Sequence, residues 1–445
     1  MNTTSSILPE EIAFAWRKIE LHPWVTALTI LVARLVLTRY RAGLSQIPGP
    51  FLASFSSLWK LQAVWKRNMH RENVRVHEDY GPIVRIGPNH VSLSDPQSMR
   101  VIYGVQNVFR KVGKFQNSAF ALVCANSVFI PDCPLQSAFY PLAEAIYRGR
   151  FLPTLLTTES NEYHMRLKRG AVKAFSMDTV VGLEPYVDKC IGVLVSRLRE
   201  VTQNGKTPVN PVAWLQYFAF DVLGEINFSQ NLGFLEKGLD VDNIIAAIGG
   251  ILTYVSIAGS DTTAISLSSV LYYLSKYPET RKKLEEEIER AIREGQASNP
   301  ITSAVINEAM RIHPATGFIL ERRVPKGGVT LHSIHLPEDT IVGVNSWVLH
   351  RNKKVFGEET HSFRPERWIE GDEEKIKDMK RNLFTFGYGP RSCIGKNISI
   401  LEMWKVVFEL YRHFQINLAD DAEWVVNGTW FTTQSNIEIK FKPKY

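Results

Sequence analysis

The chain has 445 residues, and its 52 Lys and Arg residues exceed its 45 Asp and Glu residues, which gives a formal net charge of +7. The positive charges are scattered, which argues against a nucleic-acid-binding surface and fits an anionic membrane face or an acidic protein partner better. The spacing of the four cysteines argues against a zinc-finger protein, and their small number argues against a disulfide-rich protein. They are Cys124, Cys133, Cys190 and Cys393.

The first predicted element is an apolar helix at residues 22–40, which follows a short tail at residues 1–21. Its 19 residues come near the roughly 20 that cross a bilayer, and Arg34 lies near one end, where its long side chain can reach the interface. We expect a transmembrane signal anchor here, with an interfacial or buried helix as the alternative. A proline-rich hinge at residues 41–52 then breaks the chain, and the main domain follows at residues 53–445.

Helical patterns dominate the main domain. Residues 54–79 predict one helix, and residues 82–93 predict two alternating strands joined by a Gly-Pro-Asn turn. Asp95 followed by Pro96 is typical of a helix start. Further helical patterns cover residues 162–175, 183–201, 211–227, 243–277 and 279–295. The predicted fold class is mainly α with a small β region.

Two helical stretches carry unusual side chains. His164 and Lys168 are four residues apart on one face of a basic helix, which a solvated charged face would explain as well as a binding role. Inside the long apolar helix at residues 243–277, the sequence Ala258-Gly259-Ser260-Asp261-Thr262-Thr263 weakens the helical preference. Such a local conflict usually marks a functional site, although a helix N-cap is the alternative for Asp261.

Glu308 and Arg311 are three residues apart in the next apolar helical pattern. Alone, this pair could be a surface ion pair that contributes little to stability. A second segment, Phe363-Arg364-Pro365-Glu366-Arg367-Trp368, begins 52 residues after Arg311 and supplies another arginine, Arg367.

The most informative stretch is the glycine-rich loop that holds Cys393. Gly387 and Gly389 permit backbone angles that a side chain would forbid, and Gly395 allows a flat ligand to approach closely. An apolar periodic segment begins at Ile394, so Cys393 is expected at a helix N-terminus, where exposed N–H groups favour a thiolate. A thiolate is a ligand for haem iron, and Arg391 is placed to pair with a carboxylate of that cofactor. A buried cysteine in a glycine-rich turn is the alternative.

The loop sequence resembles that of a known family. The sequence Phe386-Gly387-Tyr388-Gly389-Pro390-Arg391-Ser392-Cys393-Ile394-Gly395 matches the haem-loop pattern Phe-Gly-x-Gly-x-Arg-x-Cys-x-Gly of the cytochrome P450 superfamily at every fixed position. The resemblance extends from the hinge to the C-terminus, and the stretch from Gly81 to Asn89 is similar to that of fungal microsomal members of the pisatin-demethylase-like, secondary-metabolism group. It implies the cytochrome P450 fold, here with a truncated roof, and haem b with Cys393 as axial ligand to the iron.

The resemblance also implies roles for the other candidates. His164, Lys168 and Arg322 would contact the haem propionates, and Ala258 and Gly259 would leave space for dioxygen. Asp261 and Thr262 would deliver the protons that O–O cleavage requires. Glu308, Arg311 and Arg367 would form a buried structural triad. Phe318, Ile319, Trp430 and Phe431 would line the substrate pocket, although ordinary core packing explains each of these four equally well.

The implied activity is that of a haem-thiolate monooxygenase that inserts one oxygen atom of O2 into a lipophilic small molecule, in fungal secondary metabolism or detoxification. Electrons would come from NADPH through an NADPH-cytochrome reductase, with cytochrome b5 as a further partner. We expect a monomer in the endoplasmic reticulum membrane, anchored by one span, with its catalytic domain in the cytosol and no nucleic-acid partner.

The spacing of the motifs departs from that of the family. Only 98 positions separate His164 from Thr262, so the helices that roof the pocket are shortened around residues 228–257, while residues 118–157 are long and lack periodicity. An imperfect gene model or an eroded gene would explain both features, and a catalytically impaired haem-binding relic is therefore the main alternative function. An O2-independent haem-thiolate isomerase or dehydratase is disfavoured by the intact Asp261 and Thr262 pair.

Overall fold

The computed structural model describes residues 23–40, 43–105, 109–112, 145–147, 150–245, 258–295, 300–421 and 423–445. The predicted tail at 1–21, most of the aperiodic stretch at 118–157 and residues 246–257 of the shortened region lie outside the described residues. Helices dominate the described residues, as predicted. They are α1 Pro23–Arg39, α2 Leu58–Trp65, α3 Met69–Tyr80, α4 Pro96–Tyr103, α5 Asn161–Ala171, α6 Met177–Val181, α7 Glu184–Val201, α8 Pro211–Phe228, α9 Phe234–Lys237, α10 Ala258–Lys276, α11 Pro278–Glu294, α12 Pro300–Ile312, α13 Ser346–Leu349, α14 Lys353–Phe356, α15 Glu373–Asn382 and α16 Lys396–His413.

The strands form one larger sheet and several two-stranded ribbons. Their bounds are β1 Ile83–Gly87, β2 His90–Leu93, β3 Arg110–Lys111, β4 Ala145–Tyr147, β5 Arg150–Leu152, β6 Arg322–Arg323, β7 Val329–Leu331, β8 Ile334–Leu336, β9 Ile341–Val344, β10 Phe414–Leu418, β11 Val425–Gly428, β12 Thr432–Ser435 and β13 Ile439–Pro443. The larger sheet has the order β1-β2-β9-β6-β3. Its β1 and β2 pair antiparallel across the predicted turn, with Ile83 opposite Leu93, so the predicted hairpin is confirmed.

The N-terminal helix α1 is exposed along most of its length and is tied to the sheet at its C-terminal end. The buried Arg85 guanidinium donates hydrogen bonds to the backbone oxygens of Thr38 (3.0 Å), Arg39 (2.8 Å) and Pro88 (2.7 Å). Within the residues that the structure describes, none of the helices combines the length and the apolar character needed to cross a membrane. The structure therefore does not support the signal anchor predicted at residues 22–40.

Two predicted helices have different bounds in the structure. The single helix expected at 54–79 is two helices, α2 and α3, because Arg67 adopts a left-handed conformation (φ 52°) between them. The helix expected at 243–277 is described only from Ala258 onward. The predicted start at Asp95 is confirmed, since its side chain accepts a hydrogen bond from the Ser98 N–H.

The main hydrophobic core lies among the helices that flank the cysteine loop. It joins buried apolar side chains of α7, α8, α10, α12 and α16, including Leu194, Phe218, Leu271 and Val406. A second cluster lies under the larger sheet and includes Tyr103 and Phe384. The cysteine loop therefore runs between a helical core and the sheet.

Candidate active site

The loop before α16 has the backbone that its glycines predict. Gly387 and Gly389 both have φ near +69°, which glycine adopts without strain. A side chain at Gly389 would in addition collide with the backbone oxygen of Tyr103. The Cys393 N–H donates to the Phe386 carbonyl oxygen at 2.8 Å and closes the loop. Two short 3-10 turns, Phe384–Phe386 and Gly389–Arg391, complete it.

The Cys393 side chain is exposed, although surrounding protein desolvates its sulfur. That desolvation raises the pKa of the Cys393 thiol, while N–H groups of Gly395 and Lys396 and the Lys168 ammonium lower it. The helix N-terminus thus acts in the predicted direction, but burial prevails, and the predicted thiolate preference is not met by the protein groups alone. A coordinated metal ion would supply the missing stabilisation, because a coordinating thiol is deprotonated.

Gly395 is the residue that directly precedes α16. A Cβ atom placed there would lie 3.8 Å from Ile398 Cγ2 and 3.9 Å from Cys393 Sγ, which are ordinary contact distances. The described protein atoms therefore leave room for a small side chain at this position. The predicted close approach of a flat ligand to Gly395 stays a prediction.

Basic side chains converge beside this loop. His164 is buried, and its pKa is lowered to about 4, first by burial and then by Arg391, Lys111, Lys168 and Arg322. Burial, together with Arg322 and Arg391, also holds the pKa of Lys111 well below its usual range. The structure thus brings together all four predicted anion-binding residues and adds Lys111, which no sequence pattern singles out. We call these five residues the cationic cluster.

Two members of the cationic cluster also hold the loop in place. Lys168 Nζ donates to the backbone oxygens of Pro390 at 2.7 Å and Ser392 at 3.4 Å. Arg391 donates to the Thr158 oxygen at 2.8 Å and to Asn161 Oδ1 at 2.8 Å. Both contacts connect the loop with α5 and the segment before it, so the structure gives Lys168 and Arg391 a bracing role besides the predicted pairing with carboxylates.

The acid and alcohol pair lies near the start of the described part of α10. Asp261 Oδ1 accepts a hydrogen bond from Gln216 Nε2 of α8 at 2.6 Å. Burial raises the pKa of Asp261, and this hydrogen bond opposes the increase. Helical residues precede Asp261, so the N-cap interpretation is wrong. No sequence pattern singles out Gln216, because an isolated glutamine carries no signal. For Ala258 only the backbone is described.

The predicted charged triad is present and fully inside the protein. Glu308 Oε1 lies 2.8 Å from Arg311 Nη2 and 3.0 Å from Arg367 Nε, and Glu308 and Arg311 have 0% of their side-chain surface exposed. The surface ion-pair interpretation is therefore wrong. The sequence did not reveal the fourth member, Trp368, whose indole N–H donates to Glu308 Oε2 at 2.8 Å.

The four candidate pocket residues come from two segments that lie side by side. The rings of Phe318 and Trp430 meet edge to face, with centroids 6.1 Å apart. Thr316 and Phe431 form a backbone bridge, and Gly317 N–H donates to the Trp430 oxygen at 2.9 Å. Ile319 is only 1% exposed, so core packing and a role in lining a pocket both remain open for it.

The family model described as Cytochrome P450 matches residues 124–256 and 236–441. The chain belongs to the cytochrome P450 family. A cytochrome P450 monooxygenase, cicH, of Emericella nidulans is 31% identical, with 93% of this chain and 97% of the relative covered. A cytochrome P450 monooxygenase of Aspergillus terreus is 30% identical over 88% of this chain and 94% of its own length. A pisatin demethylase of Fusarium vanettenii is 28% identical over 94% of this chain and 93% of its own length.

Membership of the cytochrome P450 family implies a haem-thiolate cofactor and an oxidoreductase that incorporates oxygen. The residues of this site fit that group. Cys393 offers a sulfur that becomes a thiolate on coordination. The cationic cluster brings basic groups so close together that charge repulsion from Arg322 and Arg391 lowers the pKa values of His164 and Lys111. Carboxylates of a bound ligand would relieve that repulsion, as the two propionates of haem would.

This P450 lacks segments that its relative has. The alignment with the Emericella nidulans protein covers 508 positions but uses 93% of the 445 residues, which is about 414, so about 94 positions have no counterpart here. Gaps inside the alignment account for them, since 97% of the relative is covered. This difference in length agrees with the shortened spacing of the motifs.

A buried carboxyl on the helix that follows Cys393 predicts a pH-dependent stability for this P450. Burial raises the pKa of Glu402 to about 8 from an ordinary value of 4.5. Because the pKa of Glu402 is higher in the folded state than in the unfolded state, the stability contributed by its protonated form is complete below the unfolded pKa. That stability is lost as the pH rises toward 8. Between pH 5 and 7 we expect the unfolding free energy of wild type to fall with rising pH. In Glu402→Gln this fall should be smaller by about 1.4 kcal/mol per pH unit.

Urea unfolding at several pH values measures this slope. Glu409→Gln, on a partly exposed position of the same helix, controls for the change in net charge. Identical slopes for wild type and Glu402→Gln would contradict the prediction.

Proposed function

We propose that this P450 inserts one oxygen atom of O2 into a lipophilic small molecule in fungal secondary metabolism or detoxification. The single observation that carries the proposal is the meeting of Cys393 with the cationic cluster at the end of a closed glycine-rich loop. The named activities of the fungal relatives support it.

The chain's own residues would divide the work. Cys393 Sγ would bind the haem iron, and His164, Lys168, Arg322 and Arg391, with Lys111, would hold the propionates. When bound, haem supplies the oxygen activation that protein side chains cannot perform. Phe386 and Gly387 would shape the cysteine side of the site, whereas Gly259 on α10 would keep the opposite side free of a side chain.

Asp261 and Thr262 would serve as the acid and the alcohol that carry protons into the apolar cavity. The hydrogen bond from Gln216 fixes the Asp261 carboxyl, and its burial favours the protonated form that a proton donor needs. The Thr262 hydroxyl would hold a water molecule along the same path.

Replacing Thr262 by Ala should separate electron use from product formation. We expect NADPH consumption to persist while product per NADPH falls by about 10-fold or more, because a positioned proton-transfer group typically contributes about 100-fold or more. Product, NADPH and hydrogen peroxide are measured together in the reconstituted system. Ser275→Ala is the matched control, since among the described residues its hydroxyl, on the same helix, donates to the Leu271 oxygen alone. Unchanged product per NADPH in Thr262→Ala would contradict the role.

The remaining assignments follow the resemblance to microsomal fungal members. We propose that Phe318, Ile319, Trp430 and Phe431 line the substrate pocket. NADPH-cytochrome reductase would supply the electrons, with cytochrome b5 as a further donor, to a monomeric enzyme. An endoplasmic reticulum location with a cytosolic catalytic domain is part of the same proposal, and it rests on the resemblance rather than on any described helix.

The proposal is tested on purified protein expressed from a transcript whose sequence has been verified. A reduced carbon-monoxide difference spectrum typical of a thiolate ligand, together with NADPH-dependent and reductase-dependent oxidation of a lipophilic probe, is the expected result. Colourless, folded protein would refute it.

A non-catalytic haem-binding relic is the second candidate, and the roughly 94 unmatched alignment positions favour it. A relic would give the same carbon-monoxide spectrum but no reductase-dependent product. Product formation with the reductase therefore distinguishes the two functions, whereas the carbon-monoxide spectrum does not.

A further inference from the structure

Three ionisable side chains meet inside the protein, away from the cysteine loop. Lys60 of α2, His90 of β2 and Glu321 just before β6 are 6%, 3% and 2% exposed. Lys60 Nζ lies 2.7 Å from His90 Nδ1, and His90 Nε2 lies 3.5 Å from Glu321 Oε1. Such a cluster is costly to bury, so its retention calls for a physical reason.

His90 lies between the other two ionisable side chains. His90 Nδ1 lies within hydrogen-bonding distance of Lys60 Nζ, and His90 Nε2 lies on the side of Glu321. Burial lowers the pKa of Lys60. Burial lowers the pKa of His90 well below its usual range and raises the pKa of Glu321 to about 7. At slightly alkaline pH the Glu321 carboxylate is therefore an ionised acceptor.

Glu321 has hydrogen-bonding capacity that the described residues leave unused. Both of its carboxylate oxygens and His90 Nε2 are buried and have no hydrogen-bond partner among the described residues. Buried carboxylate oxygens are ordinarily satisfied, so a donor from outside the described chain fits here.

The position of Glu321 connects it with the proposed substrate pocket. Phe318 and Ile319, three and two residues earlier, pack with Trp430 and with Trp59, Ala63 and Val64 around α2. Leu320 lies beside Gly387 of the cysteine loop, and Arg322 belongs to the cationic cluster. One short segment therefore carries two candidate pocket residues, the Glu321 carboxylate and a member of the cationic cluster.

We propose that Lys60, His90 and Glu321 form a polar subsite in which Glu321 accepts a hydrogen bond from a hydroxyl group of the substrate. This inference rests on the proposed monooxygenase function, because it assigns a polar end to the lipophilic substrate. Lys60 favours the ionised carboxylate, because its charge lowers the pKa of Glu321 against the effect of burial.

Matched probes test the subsite without turnover. Equilibrium dialysis of haem-loaded protein at pH 8 compares 4-phenylphenol with biphenyl, which differ by one hydroxyl group. We expect wild type to bind the phenol about 10-fold more tightly or better, since a hydrogen bond to a charged group has that value. Glu321→Gln should reduce the preference to about threefold or less with biphenyl binding unchanged, while Glu338→Gln, at an exposed position, should keep it.

Equal binding of the two probes by wild type, or an unchanged preference in Glu321→Gln, would overturn the subsite and indicate a water-filled cluster. If Glu321→Gln fails to fold, infrared difference spectra of wild type decide the matter. A carboxyl band that shifts with 4-phenylphenol and not with biphenyl supports the subsite, and no shift refutes it. The carbon-monoxide spectrum and turnover judge the monooxygenase function separately.

Discussion

Replacing Cys393 by Ser is expected to abolish both the thiolate-type carbon-monoxide spectrum and substrate oxidation. Sulfur from this residue is the proposed axial ligand, and a serine hydroxyl does not ionise readily enough to replace a thiolate. Since the loss of a residue that merely supports a metal ligand typically costs about 10-fold to 100-fold, we expect the loss of the ligand to lower activity by more than about 100-fold. The readouts are the reduced carbon-monoxide spectrum, haem content and product formation.

Cys190→Ala provides the matched control for this substitution. Cys190 is 1% exposed in the helical core, and burial with neighbouring acids raises the pKa of its thiol to about 12. It is therefore a neutral core side chain, and its replacement should leave the spectrum intact. A Cys393→Ser protein that keeps the wild-type spectrum would contradict the assignment of the ligand.

The features that the sequence predicts best are those set by local chemistry. The positive φ angles of Gly387 and Gly389, the cap at Asp95 and the β1–β2 hairpin each depend on a few adjacent residues. The triad of Glu308, Arg311 and Arg367 is predicted only through the resemblance to the cytochrome P450 family, because nothing in the spacing alone brings Arg367 to α12.

The features that the sequence does not predict depend on tertiary packing. Lys111 joins the cationic cluster from a two-residue strand, and Gln216 reaches Asp261 from another helix. The direction of the Cys393 pKa shift was also out of reach, because desolvation depends on how much protein surrounds the sulfur. No proline or glycine marks the break at Arg67, whose backbone oxygen accepts a hydrogen bond from the distant Gly428 N–H.

The charged triad and the cysteine loop are linked through His350. Arg311 Nη1 donates to the His350 backbone oxygen at 3.0 Å, and His350 Nδ1 lies 3.1 Å from the Arg311 oxygen. The Phe384 N–H, at the start of the loop, donates to His350 Nε2 at 2.8 Å. Burial lowers the pKa of His350 to about 3, so the ring is neutral and can accept at Nε2 while it donates at Nδ1. A substitution that disrupts the triad should therefore also disturb the cysteine loop.

Replacing Glu308 by Ala is expected to lower the free energy of unfolding by about 3–5 kcal/mol, because it leaves two buried guanidinium groups without their counter-charge. It also removes the acceptor of the Trp368 indole and of the Arg364 N–H. Urea unfolding of the haem-loaded protein measures the effect, and haem content should fall with it.

Glu358→Ala is the matched control, because Glu358 forms an ion pair with Lys353 at 2.9 Å while 81% of its side chain is exposed. Its removal should change the free energy of unfolding by less than about 1 kcal/mol. Equal effects of the two substitutions would contradict a structural role for the buried triad. A Glu308→Ala protein that loses stability but keeps full haem content would instead contradict the link through His350, since that link predicts that both fall together.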